Sequence, residues 1–107
     1  MTDVAKAIDD LQRAAVEQNA RLAQYGYSTK FNVQPMPQAG HACRARFLVS
    51  HTYTSGAPIS RTEVAIGFDG QVAALHPRFR WNHDGRSWGE LLAEIVGQDL
   101  SWLRRRR

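Results

Sequence analysis

Val4, Ile8, Leu11, Ala15 and Leu22 recur at three- to four-residue spacing, which predicts an amphipathic helix over residues 3–25. Asn19 interrupts this apolar stripe, and Lys6, Asp10, Arg13, Glu17 and Arg21 line the opposite face. Thr2 is placed to cap the start, Asp3 suits the first turn, and Gly26 is a natural stop. The period then drops to two. Residues 27–34 put Phe31 and Val33 on one side of a short strand that Pro35 and Pro37 close. In residues 42–54, Ala45, Phe47, Val49 and Tyr53 alternate with Arg44, Arg46, Ser50 and Thr52, the pattern of a half-buried strand. A third strand over 59–68 turns Val64, Ile66 and Phe68 inward.

Asp69-Gly70 predicts a two-residue hairpin. That turn sets Phe68 opposite Gln71, Ile66 opposite Ala73 and Val64 opposite Leu75, carrying the core face into a fourth strand that Pro77 ends. Residues 77–86 read as a long connection. Ser87 and Glu90 form a capping box, so a second helix opens there, with Trp88, Leu91, Leu92, Ile95 and Trp102 as its buried stripe. Gly97 is placed to weaken or break this helix, with Asp99 recapping a final turn. The expected fold is α+β, in the order α-β-β-β-β-α: a four-stranded antiparallel sheet with the N- and C-terminal helices packed on one face.

With 107 residues the chain has room for one core, expected over residues 1–103 with residues 104–107 as a basic tail. Charge qualifies the high isoelectric point. The net charge of +4 equals the four terminal arginines, and without them ten basic side chains face ten acidic ones. Residues 27–86 hold seven basic groups against three acidic, whereas residues 87–103 hold three acidic and none basic. The sheet and its loops are therefore positive and the helical layer slightly negative. The lone Cys43 excludes an internal disulfide, and no basic-then-apolar leader or long apolar run is present. A cytoplasmic protein without a membrane segment is the expectation.

Candidate chemistry is sparse. His41, His51, His76 and His83 follow no recognised ligand spacing, and although His76, His83 and Asp84 carry zinc-type donors, no metal and no cofactor is expected. Cys43 lies mid-strand, no serine sits in a nucleophile elbow and no Gly-rich phosphate loop occurs, so no catalytic residue is assigned. The segment from Arg78 through Phe79, Arg80, Trp81, Asn82, His83, Asp84 and Gly85 to Arg86 alternates arginine with aromatic residues, a composition suited to phosphates and bases or to a protein interface. Arg44 and Arg46 are expected on the sheet face away from the helices, with Arg61 near them and Leu48 adding an apolar contact. The candidate partner-binding residues are thus Arg44, Arg46, Arg78, Arg80, Trp81 and Arg86. Arg104, Arg105, Arg106 and Arg107 can hold phosphate oxygens or stabilise the end of the last helix.

Pro37-Gln38-Ala39-Gly40-His41 ahead of Ala42-Cys43-Arg44-Ala45-Arg46-Phe47 resembles the loop before the second strand of double-stranded-RNA-binding domains. That family runs α-β-β-β-α and opens its last helix with lysines; here a fourth strand intervenes and the helix opens Ser87-Trp88-Gly89-Glu90, so the likeness assigns no membership. The expected function is a small non-enzymatic module acting through a protein partner with an acidic or nucleic-acid-like surface. Bacterial and phage accessory factors, anti-CRISPR inhibitors among them, are the leading class on base rate alone. The alternative is direct nucleic-acid binding by the positive sheet face, the 77–86 loop and the arginine tail, in a monomer or a homodimer.

Overall fold

The computed structural model describes residues 3–37 and 43–105, and so Thr2, residues 38–42 of the stretch that carries the resemblance, Arg106 and Arg107 lie outside the described residues. Two helices, α1 (Val4–Gln24) and α2 (Trp88–Arg105), enclose five strands: β1 (Thr29–Pro35), β2 (Ala45–Tyr53), β3 (Pro58–Ile66), β4 (Val72–His76) and β5 (Phe79–Asn82). The strands form one antiparallel meander in chain order. The α+β class and the terminal helices agree with the sequence reading; the sheet has five strands instead of four. The additional strand is β5, made from the stretch read as a connection. Pro77 and Arg78 are the two-residue turn of a hairpin in which His76 pairs with Phe79 and Ala74 with Trp81.

Asp3 caps α1, its carboxylate accepting from the Ala5 and Lys6 N–H groups. The helix ends in a Schellman motif: Gly26, at φ 80°, donates to Ala23 and Tyr27 donates to Leu22. Ala7, Leu11, Ala15 and Leu22 of α1 meet Phe31, Phe47, Val49, Val64, Ile66 and Trp81 from the sheet, and Leu91, Leu92 and Ile95 from α2, in one core. Helix α2 begins as its capping box predicts, with Ser87 Oγ accepting from Glu90 N–H. It runs unbroken through Gly97, so Asp99 caps nothing and faces inward. Among the described residues no helix is long and apolar enough to cross a membrane.

The β3–β4 turn and the end of β2 depart from the sequence reading. The β3–β4 turn is longer than Asp69-Gly70 alone: Gly67 N–H donates to Gln71 C=O, and Asp69 Oδ1 accepts from Gln71 N–H. Ile66 consequently pairs with Val72 and Val64 with Ala74, one residue away from the two-residue register. A one-residue slip exchanges the faces of a strand. Val72, Ala74 and His76 therefore point into the core, while Leu75 (54% exposed) and Phe68 (67%) face out. Tyr53, expected inward, is also exposed, and His51 takes the inward position before it.

Asn19 explains its own place in an apolar stripe. Its Nδ2 donates to Phe31 C=O at 3.1 Å, and its Oδ1 accepts from Phe31 N–H at 2.7 Å. The amide thus closes the middle of the outer edge of β1 as a neighbouring strand would, and Pro35 offers no donor at its end. We expect Asn19→Ala to lower the urea midpoint by about 1–3 kcal/mol equivalent, the penalty for two buried backbone groups losing their partner, even though alanine favours helix. A neutral midpoint would contradict this role.

Candidate functional site

Polar side chains gather in two places, one inside and one outside the sheet. Inside, α2 presents Asp99, fully buried, to three strands. Oδ2 accepts from His51 Nδ1 at 2.6 Å and from Ser60 Oγ at 2.5 Å; these donors are a cross-strand pair on β2 and β3. Oδ1 accepts from His76 Nε2 at 2.9 Å and from the Arg78 guanidinium. Trp102 of α2 lies over that guanidinium at 4.8 Å, Phe31 stacks on His51 at 4.6 Å, and Phe79 stacks on His76 at 4.5 Å. Burial alone would raise the Asp99 pKa, but the bonds from His51 and Ser60, with the imidazoles beside them, hold the carboxyl below its ordinary value. Burial lowers the pKa of His76, Asp99 opposes that, and the Arg78 charge adds to the lowering.

The residue types match a Ser-His-Asp triad, but the connections do not. Ser60 and His51 both end on the same carboxylate oxygen, so the serine donates to the acid and no imidazole is bonded to it as a base. With Asp99 and both imidazoles closed off from solvent, the cluster works as the polar joint between α2 and the sheet. His83, the other histidine considered with His76, packs instead against Trp88 at 4.6 Å and Trp81 at 5.3 Å. Among the described residues no three His, Cys, Asp or Glu side chains are grouped to hold a metal ion.

Outside, among the described residues no helix packs on the face of the sheet turned away from α1 and α2. Its rows follow from the register: Gln34, Leu48, Glu63, Leu75 and Arg80 make one, and Arg46, Ala65, Ala73 and Asn82 the next. Ala65 and Ala73, directly opposite each other, leave a shallow depression bordered by Glu63, Leu75, Arg80 and Asn82. Lys30, Arg46, Arg61 and Arg80 stand on this face against one acid, Glu63. Arg46 is tied down: Nε donates to Glu63 Oε1 at 2.6 Å, and Nη1 donates to Pro37 C=O at 3.3 Å. Lys30, Arg61 and Arg80 form no ion pair among the described residues, whereas on α1 Lys6 pairs with Asp10 and Arg13 with Asp9.

The sequence-predicted residues divide accordingly. Arg80 and Arg46 are on the open face. Trp81 is 3% exposed and packs on Trp88 at 5.9 Å, which corrects its placement as a surface contact: the alternation that suggested an arginine–aromatic loop is a strand, with arginine out and tryptophan in. Arg78 is likewise spent on Asp99. Arg44 stands just ahead of β2 and lines a cleft with Val4, Ile8, Pro35 and Met36. Arg86 precedes α2 beside Glu90 and Glu94, and Arg104 and Arg105 are exposed at the helix end. Leu75, Ala65, Ala73 and Glu63 were missed, because the two-residue turn register assigned Leu75 to the core. Comparison with protein-family models, curated proteins and solved structures finds no match, so function is argued from this geometry.

Proposed function

We propose that the chain is a small non-enzymatic docking module whose open sheet face binds an acidic protein surface. The observation that carries this reading is the pairing of an apolar floor (Leu48, Leu75, Ala65, Ala73) with cations that form no ion pair among the described residues (Lys30, Arg61, Arg80). A second copy fits this face poorly, since like charges would meet across it. Nucleic acid is the weaker candidate: no aromatic ring stands among the outward side chains of the two central rows, and stacking platforms are what single strands use. An accessory or inhibitory role, with the module covering part of a larger machine, is the form such docking would take.

Glu63 competes with any acidic partner for Arg46. Removing that charge should strengthen docking, and reversing the free cations should abolish it. The test is capture on the immobilised chain from the cell that produces it, washed at two ionic strengths. An acidic protein should be retained at low salt, retained to higher salt by Glu63→Gln, lost with Arg61→Glu/Arg80→Glu, and kept by the α1 control Lys6→Glu. Retention by the double reversal, or retention that nuclease removes, contradicts the reading; the nuclease result would favour nucleic acid.

A further inference from the structure

The attachment of α2 to the sheet is uneven along its length. Trp88, Leu91, Leu92 and Ile95 anchor its first half in the apolar core. Beyond Ile95 the buried residue is Asp99, followed by the half-buried Trp102 lying over Arg78. Val96 still packs on the core and Leu100 and Leu103 are half-buried, so from Asp99 onward the one fully buried hold on the described helix is this carboxylate with its donors.

That joint tolerates one protonation state. His76 Nδ1 accepts from the Arg78 backbone N–H at 3.1 Å, so its proton is on Nε2, donated to Asp99. His51 donates from Nδ1, and its Nε2 is buried with no hydrogen-bond partner among the described residues. With His76 neutral, the Asp99 carboxylate faces the Arg78 guanidinium as its counter-charge. A proton on His76 Nδ1 has nowhere to be accommodated: it opposes the Arg78 N–H and adds a positive charge beside Arg78. The charged and titratable groups facing His76 are Asp99 from α2, Arg78 from the following turn and His51 from β2.

We propose that this joint is an acid-released latch: protonation of His76 frees the C-terminal half of α2, from Asp99 onward, while the apolar core with the first half of the helix stays in place. The sign follows from linkage. In the folded chain His76 titrates below its value of about 6.5 in an unstructured chain, so the latched state is fully favoured above that pH. It loses ground as pH falls below it, by up to about tenfold in the latch equilibrium per pH unit until the folded value is passed. Asp99, held below the ordinary carboxylate range, stays ionised throughout this interval and does not cause the change.

The chain's three tryptophans make the test direct. With 5-fluorotryptophan in the full chain, the Trp102 fluorine resonance, assigned by Trp102→Phe, should move to a solvent-exposed position as the pH falls below about 6.5, while those of Trp81 and Trp88 hold. Imidazole nitrogen shifts of the wild type should show His76 as the Nε2–H tautomer, titrating with the same midpoint. His76→Gln keeps a donor for Asp99 and cannot take the proton, so its Trp102 resonance should stay put over this range. A Trp102 signal unchanged until the whole chain unfolds, one that moves together with the other two, or a His76 that titrates without it would overturn the latch.

Discussion

Asp99→Ala should destabilise the chain by about 3–5 kcal/mol in urea or thermal denaturation. The change strands the Arg78 charge and the donors of His51, Ser60 and His76, all aimed at one vanished acceptor. Against a total stability of about 5–15 kcal/mol for a domain of this kind, such a loss is large. The same physics predicts partial rescue. Asp99→Leu/Arg78→Met removes both charges together and replaces them with apolar volume, so the double variant should be more stable than Asp99→Leu alone. Two variants of equal stability would mean that Arg78 contributes nothing at this joint.

Trp81→Ala should cost about 3–5 kcal/mol, the range for deleting a buried large aromatic side chain. Its ring is 3% exposed and packs against both Trp88 and His83, so a cavity would open between β5 and the start of α2. A loss below about 1 kcal/mol would return Trp81 to the surface and restore it as a candidate contact. Arg80, one residue away and pointing to the other face, is expected to be silent in the same measurement, within about 0.5 kcal/mol.

Where hydrophobic period and capping chemistry agree, sequence and structure coincide: α1, the inward Ala45, Phe47 and Val49 of β2, the inward Val64 and Ile66 of β3, and the Ser87 start of α2 stand as expected, whereas Tyr53 and Phe68 at the strand ends do not. The misreadings share a physical origin, which is that polar residues inside this protein are satisfied across long sequence separations. His51, Ser60, His76 and Arg78 meet on Asp99, and nothing local in any of their segments announces the others. Asp99 does occupy a position on the stripe of Trp88, Leu91, Ile95 and Trp102, as Asn19 does on that of Leu11, Ala15 and Leu22. A polar residue on a core stripe is the one-dimensional trace of a buried partner, and for Asp99 a local recapping role obscured it. The slip at the β3–β4 turn has a compensating logic. Exposing Leu75 and Phe68 lets His76 reach Asp99 and leaves Leu75 beside Ala73 on the open face. Register, and with it most of the candidate site, depended on whether the turn took in Gly67 and Gln71, which Asp69-Gly70 does not specify. Arg80 was legible from composition alone; the face it belongs to was not.

The most direct test of the docking face reads contact itself. A photoreactive residue replacing Leu75 would sit on the open sheet face, and one replacing the exposed Val16 would sit on α1. Irradiation in the producing cell should give a protein adduct from position 75, none from position 16, and none from position 75 once Arg61 and Arg80 are reversed to glutamate. Adducts from position 16 alone, or adducts at 75 indifferent to the charge reversal, would contradict the account and move the interface elsewhere.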